Sequence, residues 1–283
     1  MKYPMISMAL LLAACGGGGS SSSGGSDVVQ NLPLEPDPVS GGDWYQPAPG
    51  ISWQWQLSGT VNTDYEVDLY DIDLFDTDDS LISALQANGI KVICYFSGGS
   101  WEDWRDDADD FVASDKGRTL DGWEDERWLD IRSENVQSIM QARLDLAVSK
   151  GCDGVEPDNM DGYSNNNGLG LSASDQLAYN RFIANEAHER GLAVALKNDL
   201  GQIEELVDYF DFSVNEQCAE YDECELLSPF IDAGKAVLQA EYNDDYVNDE
   251  ASRAELCDAM TLLQFSTLVL PLLLDDEFRY ACN

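Results

Sequence analysis

Residues 154–163 read Gly-Val-Glu-Pro-Asp-Asn-Met-Asp-Gly-Tyr. A short apolar run here meets a cluster of acids and amides. Unpaired charge is costly to bury, so acids at the end of a buried-type strand belong at a cleft. A second junction of this kind is Asn215-Glu216-Gln217, behind the apolar stretch that begins at Phe210. Two carboxyl groups flanking one glycosidic bond can break it: one protonates the leaving oxygen, and the other attacks or activates water. Asp158 and Glu216 are therefore the candidate catalytic pair, with Glu241 in reserve. In a chain this acidic a single carboxylate is by default a solvated surface charge. These two stand apart because each directly follows a predicted buried strand. Lys197, one of few basic residues, ends a strand as well. Beside Asp158 it would hold that acid ionised, which favours Asp158 as nucleophile and Glu216 as proton donor. A purely structural ion pair is the alternative, and the opposite assignment of the two acids stays open.

Other predicted strand ends carry the same mixture. They include Trp53-Gln54-Trp55-Gln56, Tyr70-Asp71-Ile72-Asp73, Tyr95-Phe96-Ser97, Lys197-Asn198-Asp199 and Glu241-Tyr242-Asn243. Acids and amides bond hydroxyls and flat rings stack on sugar faces, so the mixture suits carbohydrate. Candidate substrate contacts are Asp71, Asp73, Tyr95, Ser97, Trp101, Asn159, Asp161, Lys197, Asn198, Glu241 and Tyr242. Trp101, Trp104, Trp123 and Trp128 are candidates to line a sugar groove, with at least half of them expected to pack in the core or under a cover. His188, the single histidine, falls in a helical stretch and is expected to be exposed. That argues against a Ser-His-Asp hydrolase or a histidine-rich metal centre. The aspartate runs at 71–79 and 106–110 lack the EF-hand spacing. Neither a metal nor a cofactor is implied.

Positioning these groups requires a repeated framework. Apolar strand candidates lie at 51–57, 67–72, 91–96, 154–158, 193–197, 210–215, 236–240 and 263–268. Helical stretches lie between them at 79–88, 133–150, 174–190, 202–207, 224–233 and 249–259. Ser133 and Ser174 fit N-caps, and Gly89, Gly151, Gly191 and Gly234 fit helix ends. This alternation predicts a single-domain α/β fold, a (β/α)8 TIM-type barrel over 51–283, with chemistry at the C-terminal ends of the strands. An open doubly wound sheet fits less well, because no GxGxxG follows the first strand. No internal repeat is visible. Residues 101–128, crowded with Trp, Asp and Gly, predict a cover beside the cleft.

The N-terminus predicts export. Lys2 precedes an apolar run at 5–12, too short to span a membrane. Leu12-Ala13-Ala14-Cys15 has the form of a bacterial lipobox, which makes 1–14 a signal peptide and Cys15 the lipid-bearing residue. An ordinary signal peptide is the alternative. Residues 15–50 read as a lipid-anchored Gly/Ser/Pro-rich linker. The absence of Asp after Cys15 points to the outer membrane or cell surface. Removing the export signal and linker leaves roughly 230 residues, the size of one barrel. Six cysteines remain, and an even number in an exported chain predicts disulfides. Cys218–Cys224 would close a short loop and Cys257–Cys282 would staple the C-terminus, leaving Cys94–Cys152. A cysteine zinc site is disfavoured, since no CxxC pair exists. The net charge of −39, from 54 acidic and 15 basic residues, argues against nucleic acid as a partner. It would draw in a cationic substrate, although a saline habitat or solubility alone explains it equally well. A monomer is expected.

Taken together, the chain resembles glycoside hydrolase family 114, the endo-α-1,4-polygalactosaminidases. The resemblance runs from about Trp53 to Cys282 and rests on 53–57, 92–97, 101–105, 154–163, 196–199 and Asn215-Glu216. It implies a (β/α)8-type barrel and an endo-acting, cofactor-free hydrolase for α-1,4-linked galactosamine polymers, with retention of anomeric configuration favoured over inversion. Asp158 matches the aspartate proposed for the family, and Glu216 the glutamate. Residues 268–276, where Val269-Leu270-Pro271 replaces a more polar run, depart from the family pattern and put contacts from the last strand's loop in doubt. A non-catalytic polysaccharide-binding barrel and a glycosidase for another polymer are the competing readings.

Overall fold

The computed structural model describes residues 32–283; the expected signal segment, Cys15 and the Gly/Ser tether lie outside the described residues. The strands are β1 (Trp53–Gln56), β2 (Leu69–Asp73), β3 (Lys91–Ser97), β4 (Ser100–Glu102), β5 (Lys116–Leu120), β6 (Trp123–Leu129), β7 (Gly154–Asp158), β8 (Ala193–Lys197), β9 (Phe212–Glu216), β10 (Val237–Glu241), β11 (Ser266–Val269) and β12 (Tyr280–Ala281). The helices are α1 (Asp79–Ala87), α2 (Glu134–Lys150), α3 (Ala173–Glu189), α4 (Ile203–Leu206), α5 (Ser228–Asp232), α6 (Asp244–Asn248) and α7 (Glu250–Leu262).

β1, β2, β3, β7, β8, β9, β10 and β11 lie side by side in chain order, all parallel. This is the single-domain TIM-type arrangement that the alternation implies. β12 runs antiparallel on the edge of β11. From that edge Arg279 donates to Gln54 Oε1 and the Trp53 carbonyl, and Trp53 Nε1 donates to the Ser266 carbonyl, so side chains join the last strand to the first.

Alternation along each strand sorts residues into two layers. Trp53, Trp55, Leu69, Ile93, Ala193, Ala195, Phe212, Val214, Leu238 and Ala240 fill the barrel interior, while Tyr70, Ile72, Val92, Val155, Val194, Leu196 and Val237 meet the helices. Two stacked indoles, Trp53 and Trp55, occupy much of the interior. Gly154 allows close packing within the same interior. A Cβ added at Gly154 would stand 2.8 Å from both the Ala193 Cβ and the Ile93 Cδ1.

Helix ends follow local chemistry. Ser133 and Gly151 flank α2, with Gly151 left-handed at φ 84°. Ser172, rather than Ser174, caps α3, because Asp175 stands three residues beyond Ser172 and returns the reciprocal bond. α6 was not anticipated. The expected cover at 101–128 falls within residues 100–129, which form β4, β5 and β6, a three-stranded antiparallel sheet.

Residues 32–50, expected as linker, pack across the N-terminal end of the barrel. Trp44 stacks on His188 with ring centres 4.0 Å apart and donates to Asp211 Oδ1 at 2.7 Å. His188 Nε2 meets Asp211 Oδ2 at 2.9 Å, so this histidine is buried in a structural cluster, contrary to the expected exposure. Ala236 N donates to the Pro47 carbonyl, and Val39 N to Asn185 Oδ1. The segment has no period to read because its contacts are made one residue at a time.

The three disulfides are Cys94–Cys152, Cys218–Cys224 and Cys257–Cys282. The last ties α7 to the chain end that carries the β11–β1 seam. Replacing both Cys257 and Cys282 with Ser should cost about 3 kcal/mol, read as a lower Tm by circular dichroism without reductant; an unchanged Tm would mean that the seam does not depend on this staple.

Candidate active site

At the C-terminal end of the barrel the interior layer changes from apolar to charged. Asp71, Glu156, Asp158, Lys197 and Glu216 continue the inward-facing rows of β2, β7, β8 and β9. The Lys197 ammonium lies at their centre, 3.1 Å from Asp158 Oδ1, 3.1 Å from Glu156 Oε1 and 3.5 Å from Glu216 Oε2. Burial opposes its charge, but the Asp158, Glu156 and Glu216 carboxylates outweigh that penalty and hold its pKa well above the usual lysine range. The Trp55 ring lies beneath it, 4.8 Å away.

Each candidate catalytic acid is oriented by a tyrosine and an amide. Asp158 accepts from the Tyr95 hydroxyl at 2.8 Å and from the Asn159 backbone N–H at 2.7 Å. Glu216 accepts from the Tyr242 hydroxyl at 2.6 Å and from Asn198 Nδ2 at 3.2 Å. Both phenols have pKa values well above normal, through burial and then through the carboxylate each one faces, so they remain donors. The backbone beyond these strands is left-handed at Asn159, Asn198, Asp199 and Gln217, with φ between 49° and 60°. Asn and Asp tolerate that region, whereas Gln217 is held there at some cost. The turn at Asn159 is packed tightly, since a side chain at Gly99 would collide with the Asn159 carbonyl.

The other sequence candidates separate by strand face. Ser97 bonds Ser100, and Asn159 Nδ2 donates to Ser97 Oγ at 3.0 Å, so Ser97 positions Asn159 from below. Asp73 is gripped by Arg105 through two bonds of 3.0 and 2.7 Å, which fastens the 101–128 cover to the barrel. Asp71 is fully buried beneath the cleft. Asp161 lines the cleft, and burial followed by the nearby Asp158 raises its pKa to about 6. Glu241, the reserve acid, faces the opposite side of β10 from Leu238 and Ala240. It accepts from Ala219 N and Gln239 Nε2, away from the cleft. Trp101 lies outside the cleft lining, its indole N–H donating to the Ala108 carbonyl. Trp128 is buried, while Trp104 and Trp123 line the cleft.

The cleft has a volume of about 650 Å³ and contains Tyr95, Trp104, Trp123, Asp158, Lys197 and Glu216. It continues both ways. On one side it shares Leu57, Asp73 and Asp76 with a depression that includes Thr60 and Asp78. On the other it shares Asp161, Asn198, Glu216 and Gln217 with one that includes Tyr163, Asp199 and Tyr221. The result is a groove across the barrel mouth, with carboxylates at both ends.

Several groups here carried no assignment from sequence. Glu156 had a readable signal, since it stands two residues before Asp158 and so shares its face. Leu272 and Leu273 had none. They are 57% and 65% exposed and form an apolar lip of the cleft. Their loop is held by Asp276, which accepts from Gln54, Tyr65 and Asn62. Among the described residues, no cluster of three or more His, Cys, Asp or Glu side chains is arranged to hold a metal ion.

Lys197→Met keeps the bulk but leaves Asp158, Glu156 and Glu216 without their counter-charge. Any turnover at this site should fall by about 10² or more, and steady-state kinetics on the folded variant checks it; near-wild-type rates would make the ammonium a bystander. A pH effect on stability follows from the raised carboxyls. Burial and neighbouring acids raise Asp161 to about 6, Glu126, Glu156 and Glu241 to about 7, and Asp199 to about 8. Each binds its proton more tightly folded than unfolded, so that stabilisation is complete below the ordinary carboxylate range and is lost as pH rises through about 6 to 8. Thermal melts should give a higher Tm near pH 5 than near pH 8.5, and a flat or opposite trend would contradict this ionisation pattern.

A glycoside-hydrolase family model, that of family GH114, matches residues 35–283. Among solved structures, Aspergillus fumigatus Ega3 in complex with galactosamine is similar at 44% identity and TM-score 0.80, covering 84% of this chain and 97% of that one. The glycoside hydrolase domain of PelA from Pseudomonas aeruginosa shares the fold at 14% identity and TM-score 0.63, covering 80% and 96%. Trehalulose synthase MutB from Pseudomonas mesoacidophila MX-45 shares it more distantly, at 12% identity and TM-score 0.52, covering 75% and 62%. No curated protein matches the chain by sequence.

Proposed function

The chain belongs to glycoside-hydrolase family GH114, and from that premise we propose that it is an endo-acting hydrolase of α-1,4-linked galactosamine polymers. The observation that carries this reading is the convergence of Asp158 and Glu216 on one ammonium, that of Lys197. Two oxygens at 3.1 and 3.5 Å from a single nitrogen stand no farther apart than those two contacts laid end to end. Two oxygens held that close are within reach of one glycosidic bond, and the spacing admits the retaining course.

In the retaining course Asp158 attacks the anomeric carbon while Glu216 gives its proton to the leaving oxygen. The glycosyl-aspartate ester forms as the glycosidic bond breaks. Water, deprotonated by Glu216, then attacks the same carbon and frees Asp158. Tyr95 and Lys197 hold the nucleophile in place, and Tyr242 and Asn198 hold the acid. A groove open at both ends supports cutting within a chain rather than at its tip. Carboxylates along it, and the net charge of −39, favour a substrate bearing free amines, as does the similarity to a protein solved with galactosamine. We also propose that the protein is an exported, lipid-anchored monomer. The lipobox at Cys15 supports the anchor, and the three disulfides fit an oxidising compartment.

Asp158→Asn and Glu216→Gln should each lower reducing-end release from polygalactosamine by about 10³-fold or more while the fold is kept. Full activity in either variant would remove that residue from the chemistry. Wild-type binding without release would make this a carbohydrate-binding barrel.

A further inference from the structure

Beneath the reacting pair lies a group that the two-carboxylate mechanism does not use. Asp71 on β2 and Glu156 on β7 are both completely buried, and the charge of Glu156 acts directly on the Asp71 carboxyl. Among the described residues no hydrogen-bond donor is placed on any of their four oxygens; the ammonium 3.1 Å from Glu156 Oε1 is a close contact of ion-pair type. Two interacting carboxyls without hydrogen-bond donors cannot both stay ionised in a dry interior, so this pair requires a proton.

The charged and titratable groups around the pair come from every neighbouring strand. β2 also supplies Asp73, which Arg105 neutralises. β3 supplies Tyr95, β7 Asp158, β8 Lys197 and β9 Glu216, and Tyr242 follows β10. Only Lys197 is a cation in direct contact with the pair. Its three N–H bonds face three carboxyl groups, two of them the reacting acids. While Asp71 and Glu156 hold a proton, they take no more than one unit of negative charge, and the ammonium remains shared with Asp158 and Glu216. Loss of that proton places two buried negative charges against each other and draws the ammonium down, away from the cleft.

We propose that Asp71 and Glu156 are positioning residues whose shared proton keeps Lys197 aimed at Asp158 and Glu216, and that loss of this proton sets the alkaline limit of activity. The proposal rests on the hydrolase reading above. Burial first, and then the partner carboxyl, drives Asp71 well above its ordinary range. For Glu156, burial outweighs the pull of Lys197 and leaves it at about 7. The proton is thus held at mildly acidic pH and released as the solution turns alkaline.

The test is the pH–rate profile of the full chain on polygalactosamine, for wild type, Glu156→Gln and Asp71→Asn. Either amide keeps the size of the side chain and can donate to the remaining acid, so the pair no longer needs a proton. The alkaline limb should move up by at least about one pH unit, a tenfold change in proton affinity, while the acid limb stays where it is. An alkaline limb that is unmoved or moves down in the folded variants would overturn the proposal, because Glu216 would then set it. A second readout does not need turnover. The infrared difference spectrum of wild type minus Asp71→Asn at neutral pH should show the carbonyl band of a protonated carboxyl, and its absence would also overturn the proposal. Were wild type to release no reducing ends at any pH, the hydrolase reading would fail, whereas the infrared band would still report on the pair.

Discussion

The site depends on one buried cation. Lys197 is almost wholly removed from water and is surrounded by Asp158, Glu156 and Glu216. A lysine in an apolar interior would lose its proton, and three carboxyl groups gathered there alone would repel one another. Each side therefore makes the other tenable. The Trp55 ring beneath the ammonium and the phenols of Tyr95 and Tyr242 at the carboxylates complete its surroundings.

The barrel supplies what this cluster needs, which is inward-facing positions on adjacent strands at one height. Gly154, Ala193 and Ile93 lower in the same rows pack closely, and the Lys197 ammonium of the charged layer lies over the Trp55 ring. Beyond the strands, left-handed turns at Asn159, Asn198 and Gln217 change the chain's direction at once, so the catalytic acids stay at the rim while the following residues form the groove walls. The cover is bound to the barrel by Arg105 on Asp73 and by Arg143, which donates to the Ser97 carbonyl and to Asp107. That linkage sets Trp104 and Trp123 beside the catalytic acids.

Much of this was legible before the structure. Eight apolar runs punctuated by acids located the barrel strands to within a few residues, because buried parallel strands are continuous hydrophobic segments. The same runs placed Asp158, Lys197 and Glu216 at strand ends. What escaped was the face each neighbour takes. Glu241 ends β10 as Glu216 ends β9, yet a difference of one residue in phase turns it toward the helices. Trp101 and Trp104 belong to one short motif, but only the second reaches the cleft. His188 and residues 32–50 were misjudged together, since the histidine is buried only because Trp44 covers it from a segment without periodicity. Leu272 and Leu273 depend on Asp276 finding Asn62 and Tyr65, about two hundred residues away in the chain, which no local pattern reports.

Hydrolysis here requires Asp158 and Glu216 to act across a single bond, with Asp158 as the nucleophile. Mass spectrometry after incubation with a slow, fluorinated galactosaminyl donor tests this most directly. One glycosyl unit should be found esterified to the peptide that contains Asp158. A glycosyl adduct on any other residue, or turnover of the donor with inversion and no adduct at all, would contradict it.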